Sequence, residues 1–352
     1  MCASTGSSVP EAPGAGRPAE KCAVLLLAHG TPDSLDEIPQ YLLNVTGGRP
    51  LPAPVVEEIR HRYSLIGKSP LTQITLAQGQ LLSQALNLPV YVGMRNWTPY
   101  IADVVAGMRA DGVTRAVVIC LAPQNSRTSV GLYRRAVFAQ APQSIAMDFV
   151  EEWADDPELA EAFAERLKPL WQSASTKMGR AVPVLFTAHS VPLHTVQAQS
   201  PPAPSASETP GPDPYAQQAR RTAANVAALL APFGLTARDW FFAFQSQGVS
   251  KGPNGIEWLG PTVEETLTSL RQQRHSAVII QPVGFLCDHV EILYDIDIAF
   301  RAFGAGIGLD IMRPPSLNDS PLLIAALAGL VRQGFRRLSA AAAQAGAAQS
   351  TE

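Results

Sequence analysis

The chain of 352 residues is poor in charge: 16% of its residues are charged, 27 basic against 30 acidic, for a formal net charge of −3. So even a balance gives no electrostatic footprint for a nucleic-acid partner. Cysteine is scarce as well. Cys2, Cys22, Cys120 and Cys287 show no CxxC and no metal-ligand spacing. That excludes a disulfide-framed secreted domain and a zinc finger, and buried thiols in a reducing cytoplasm are the simplest account. The longest apolar run near the N-terminus is Cys22–Ala28, far short of the ~20 residues that span a bilayer. Residues 1–20 hold no Lys/Arg cluster ahead of an apolar core, so they do not read as a signal peptide. Apolar material is plentiful at 46%, enough for sizeable cores. At ~100–200 residues per domain, the length predicts two domains or one large one.

Residues 1–20 read as a mobile tail. Cys22–Ala28 is a continuous apolar run of strand length, which a parallel strand buried on both faces requires. Strands follow at 89–94, 116–121 and 145–150, separated by segments of helical period at 55–66, 74–86, 99–108 and 130–139. An earlier helix, capped by Asp33 or Ser34, turns Leu35, Ile38, Leu42 and Leu43 inward, and a long amphipathic helix covers 157–171. The alternation then restarts, with strands at 182–187, 239–245 and 276–281 and helices at 215–230, 263–273, 290–303 and 322–338. Two such runs predict an α/β chain of two Rossmann-like, doubly wound domains with parallel sheets and a cleft between them. The expected boundaries are 21–150 and 151–315. A Pro/Ser-rich loop is inserted at 197–212, a C-terminal helix at 316–338 packs back on the first domain, and 339–352 form a frayed tail.

Ligands of doubly wound folds bind beyond the carboxyl ends of the strands, and three strand ends carry unusual polar residues. Ala28-His29-Gly30-Thr31-Pro32 has a glycine suited to a tight turn, but no GxGxxG, which argues against a dinucleotide. His29 is either satisfied by local hydrogen bonds or functional. Thr187-Ala188-His189-Ser190-Val191-Pro192 holds an imidazole rigidly at a rim, and imidazole both ligates metals and changes charge near neutral pH. The third, Pro282–Asp297, is the richest. If it is helical from Asp288, then Asp288, Glu291 and Asp295 share one face. A first-turn capping role explains Asp288. A second carboxylate one turn deeper fits a site where a cation or proton passes better than it fits a solvated face.

At these segments the chain stops being generic. AHGTP, GKSPLTQIT, YVGMRNWTPYI, LAPQNSRTSVGLY, FTAHSVP, DPY, FQSQ, WLGPT and PVGFLCDHVEILYDID resemble, in this order, the segments of bacterial-type ferrochelatases, over roughly residues 22–338. FTAHSVP followed by WLGP and GFxxDHxExLYDxD is the specific part. The resemblance implies insertion of Fe²⁺ into a porphyrin with release of two protons and without a nucleotide, the macrocycle lying in the cleft. It places the metal-site pair and the catalytic roles on His189 and Glu291, with Asp295 continuing the metal-handling carboxylate row. A further acid of some relatives falls at Ala299, so the row is shorter here. The resemblance places porphyrin contacts on His29, Arg62, Tyr63, Ser69 and Tyr133. Thr46 stands where some relatives place a propionate-binding arginine. Trp258 serves either the pocket wall or the core. Asp288 and His289 are expected behind the metal pair: His289 orients Glu291 or the turn, and Asp288, with Asp295, carries ions to or from solvent.

Some members hold a [2Fe–2S] cluster on four cysteines; with no cysteine after Cys287, none is expected here. The short segment 50–56, followed by Glu57-Glu58, permits at most a transient membrane contact. A cytoplasmic monomer acting on protoporphyrin IX is the favoured expectation. The alternatives are a coproporphyrin III ferrochelatase, a cobalt- or nickel-inserting relative, and a non-catalytic tetrapyrrole carrier.

Overall fold

The computed structural model describes residues 20–140, 144–197, 213–247, 255 and 257–349. The expected tail at 1–20, apart from its last residue, and the inserted loop lie outside them. Strand β1 (Cys22–Ala28) is bonded in parallel on both edges, to β2 (Val90–Met94) and β3 (Arg115–Cys120). That is why its residues are apolar without alternation. Strand β4 (Ala146–Val150) joins β3 to complete the order β2-β1-β3-β4. The second sheet repeats this plan. Strand β5 (Val184–His189) is flanked by β6 (Trp240–Gln245) and β7 (Ala277–Pro282), and β8 (Asp310–Met312) closes the order β6-β5-β7-β8. β8 has three residues and escaped the sequence reading because so short a run carries no period.

Helices α1 (Ile38–Val45), α2 (Ala53–Ile66), α3 (Leu71–Leu86), α4 (Ile101–Ala110) and α5 (Val130–Phe138) belong to the first half. Then come α6 (Pro157–Met178), α7 (Leu193–Gln197), α8 (Tyr215–Leu230) and α9 (Val263–Gln272). The segment expected as one helix over 290–303 is α10 (Val290–Leu293), a π-helical turn (Asp295–Phe300) and α11 (Arg301–Ile307). Helix α12 runs from Pro321 to Gln349. It therefore does not end at Leu338: the Ala-rich stretch expected as a tail is helical to Gln349, as alanine's high intrinsic propensity allows. Helix α6 likewise passes Trp171 and Pro169, and ends at Gly179, whose φ of 64° stops it. Leu35, expected inward, is 37% exposed.

Strand parity sorts the core. Val24, Leu26 and Ala28 of β1, with Val184, Phe186 and Ala188 of β5, enter one apolar cluster that α6, α8 and α12 also line. Leu25 and Leu27 face a separate layer with α4 and α5, and Leu185 faces a third with α9 and Ile292. The two halves thus share one core and each keeps an outer one. α12 packs on β3, β4 and α3 of the first half and also on α6.

Candidate functional site

His29 and His189 follow the same position in the two halves, Ala28 of β1 and Ala188 of β5, each strand flanked by the second and third strands of its sheet. Each imidazole Nδ1 lies against the carbonyl of the next residue, Gly30 or Ser190. Both line one cavity with about 1360 Å³ of empty space, its mouth to solvent included. The matching AHGTP and AHSVP segments thus occupy equivalent strand ends, a repeat that is topological and too short to detect as sequence.

Their second nitrogens differ, and that sets their charge. His189 Nε2 is 3.1 Å from Glu291 Oε1. Burial opposes a charge on this imidazole, but the Glu291 carboxylate and its hydrogen bond outweigh burial and raise the pKa to about 9. His29 Nε2 instead meets the Asn96 amide nitrogen at 2.9 Å, and its Nδ1 also meets Tyr41 Oη at 3.1 Å. Burial, seconded by the nearby Arg95 charge, lowers His29 to about 4. At neutral pH the cavity therefore holds one imidazolium paired with a carboxylate and one neutral imidazole whose two nitrogens are both engaged. His29 is thereby tied into the cavity wall through both ring nitrogens.

Glu291 lies between two imidazoles, since His289 Nε2 reaches its Oε2 at 3.3 Å while His289 Nδ1 meets the Cys287 carbonyl at 2.9 Å. Burial would push the Glu291 carboxyl up. The His189 charge and the two side-chain hydrogen bonds prevail and hold it well below the usual carboxylate range. The segment that carries it approaches β5 at Gly284, where an added Cβ would lie 2.8 Å from Ala188 Cβ and 2.9 Å from Ala188 Cα. Gly284→Ala should therefore lower stability by roughly 1–3 kcal/mol through overpacking and lower turnover by shifting Glu291 from His189. Urea unfolding and a metal-insertion assay measure the two effects.

The expected carboxylate row is not a single face. Helical geometry begins only at Val290, with His289 extended, so Asp288 points elsewhere. It accepts from Ser316 Oγ at 2.6 Å and Asn318 Nδ2 at 2.9 Å and faces Arg313 at 3.4 Å, which makes it a brace for the C-terminal connection, apart from the cavity that Asp295 lines. The π-turn, marked by the Ala299 N–H bonded to the Tyr294 carbonyl five residues back, carries Asp295 out of the large cavity into a second one. There Asp295 accepts from Ser246 Oγ, faces Arg62 Nη1 at 3.8 Å, and shares the wall with Glu264 and Ala299. Burial raises its pKa to about 6 against the lowering effect of Ser246. Glu291 lines the large cavity and Gln245 the second, and the Glu291 carbonyl accepts from Gln245 Nε2 at 2.8 Å.

Of the porphyrin contacts implied by the resemblance, His29, Tyr63, Ser69 and Tyr133 line the large cavity. Tyr63 Oη pairs with Thr31 Oγ1 at 3.2 Å, and the buried Ser69 Oγ has no protein partner. Arg62 and Trp258 are not on that wall. Arg62 bonds Glu58 at 2.9 Å and lies over the Tyr294 ring beside the second cavity. Trp258 pairs as an isolated antiparallel bridge with Pro192, and its neighbours brace the chain after His189: Leu259 N–H donates to Val191 O at 3.0 Å and Ser190 Oγ to Leu259 O at 2.9 Å. Thr46 turns its hydroxyl to the Leu42 and Leu43 carbonyls of its own helix. Tyr41, Arg95, Gln124, Tyr215 and Phe285 also line the cavity and were missed as individuals, although MRNW, APQN, DPY and PVGF flagged four of their segments.

Among the described residues no group of three or more His, Cys, Asp and Glu is arranged to hold a metal ion, and no helix is long and apolar enough to cross a membrane. A model of the Ferrochelatase family matches residues 21–335. The chain belongs to the ferrochelatase family. It is 62% identical over 326 residues to a ferrochelatase of Acidobacterium capsulatum, covering 92% of this chain and 98% of the relative. It is 32% identical to a coproporphyrin III ferrochelatase of Geobacillus thermodenitrificans, covering 88% and 94%. Among solved structures it is similar to the sirohydrochlorin chelatase SirB of Bacillus subtilis in complex with cobalt, with TM-score 0.51, 13% identity, and 89% and 95% of the two chains covered. At that identity the likeness speaks for the fold, two parallel α/β sheets shared by this family and that chelatase.

Proposed function

We infer that this protein is a ferrochelatase that inserts Fe²⁺ into protoporphyrin IX with release of two protons. The observation that carries the reading is the His189–Glu291 pair on the wall of a cavity large enough for a planar ligand, in a chain of this family. A free-base porphyrin obstructs metal with its two inner N–H protons. Binding the bent ring better than the flat one turns the lone pairs outward, which is differential binding of the transition state. The Glu291 carboxylate, kept ionised, draws the divalent cation, and His189 gives up its proton to solvent as the cation arrives. On insertion, one pyrrole proton returns to His189 and the other leaves to solvent, so two protons are released per turnover. Asp295, in the neighbouring cavity, attracts the ion on its way in. On this reading iron is a substrate and no resident cofactor is required.

The choice of porphyrin follows from charge. Arg95 is the one Arg or Lys among the residues described around the large cavity, and it lies over the Tyr133 ring with Nη1 unpaired. Arg62 is engaged by Glu58 and Asp295, and Thr46 offers no cation. Two propionates suit such a wall better than the four of coproporphyrin III, because a carboxylate taken from water needs a charged or hydrogen-bonding partner. Steady-state insertion should therefore show the larger kcat/KM with protoporphyrin IX. The reverse order would make the protein a coproporphyrin III ferrochelatase, and binding without insertion of either would make it a carrier.

A further inference from the structure

Asp213, just ahead of α8, and Gln218 and Thr222, one turn apart on it, face the loop that follows β3 in the other half. Thr222 Oγ1 accepts from Gln124 Nε2 at 3.1 Å, Gln218 Oε1 from the Asn125 N–H at 2.6 Å, and Asp213 Oδ2 from the Arg127 N–H at 2.8 Å. Gln124, Asp213, Gln218 and Thr222 are all buried. Apolar surfaces can slide past one another, whereas buried hydrogen bonds are directional and costly to leave unmade, so this seam admits one register between the halves. It also reaches the imidazole. The other Asp213 oxygen accepts from the Tyr215 N–H at 3.0 Å, and Tyr215 Oη donates to the His189 carbonyl at 2.8 Å. Gln124, Ser126, Thr128 and Ser129 of the first-half loop line the cavity, as does Tyr215 itself.

We propose that Asp213 and Tyr215 are positioning residues for metal insertion. Asp213 registers the cavity-lining loop of the first half against α8, and Tyr215 holds the His189 backbone, so the loop and the imidazole that share the cavity are held in one placement through Asp213 and Tyr215. The proposal rests on the ferrochelatase reading. Tyr215→Phe removes one O–H and keeps the ring on the cavity wall and against Phe244, 6.4 Å away between centroids. Its kcat should fall about 10-fold, the scale on which groups that orient a metal-facing residue act, with KM for porphyrin changed by less than about twofold. Asp213→Asn keeps one acceptor of two, so either the Arg127 or the Tyr215 N–H loses its acceptor on residue 213, and it should raise KM for porphyrin several-fold as well as lower kcat. Both are read in the full-length protein, with thermal midpoints measured alongside. Unchanged kcat in Tyr215→Phe overturns the proposal. So does a matched loss of kcat and rise of KM in both variants that simply tracks their thermal midpoints, because that is a purely structural role. A wild type that inserts no metal under the same assay fails the ferrochelatase reading itself, whereas an active wild type with an unaffected Tyr215→Phe fails only this inference.

Discussion

His189→Ala is expected to reduce ferrous insertion by a factor of about 10² or more, since proton transfer by a placed side chain contributes on that scale and a metal donor is lost with it. The fold should survive. The imidazole faces the cavity with 35% of its side chain exposed, and its main chain is held by β5 and by Tyr215, neither of which the substitution touches. At neutral pH the thermal midpoint should fall by several degrees, because the pair with Glu291 is lost, without unfolding the protein at assay temperature. Porphyrin binding, followed by the shift of its absorption bands, should persist. Wild-type turnover in this variant would end the mechanism proposed for the pair.

Glu291→Gln keeps the shape and removes the charge. Insertion should again fall by about 10², and what remains should respond differently to pH. In the native protein burial works against the His189 charge, and Glu291 overrides it to hold the pKa at about 9. With a neutral amide the largest influence opposing burial is gone, and His189 loses its proton at lower pH. The limb of the residual rate profile that reports this imidazole should move toward acid. The stability linkage has the same origin. A histidine whose folded pKa exceeds its unfolded value stabilises fully below the unfolded pKa of ~6.5 and loses that contribution as pH rises through about 9. Wild-type unfolding free energy should thus decline between those values relative to the variant. A residual profile that superimposes on the wild-type one would show that the pair does not titrate as a unit.

Much of the architecture could be read from the residues because burial on two faces leaves a mark in composition. β1 is an uninterrupted apolar run and β7 opens with another, Ala277–Ile280, and both are interior strands. α8 matches its expected span, and α3 differs from its own by a few residues at one end. Where the reading departed from the structure, the deciding forces were not local. Asp288, Glu291 and Asp295 were placed on one face by assuming a regular helix from Asp288. The extended His289 and the π-turn disperse them to a brace, a cavity and a second cavity. No single-residue property marks a π-turn, because it depends on the packing of Ile292, Ile296 and Phe300 against the outer core of the second sheet. Arg62 shows the same limit. Its place on α2 could be read, but its partners Asp295 and Tyr294 lie more than 230 positions away.

Strand and helix order, the two-sheet α/β plan, and the chemistry of the AHSVP and GFLCDHVE segments are written along the chain, since apolar period and residue type need no distant neighbour to be recognised. The charge states of the two strand-end histidines, the division of the acids between two cavities, and the buried seam that joins the halves arise only when residues remote in sequence meet. Those features rest on desolvation and on hydrogen bonds between such residues, and both come into being with the fold.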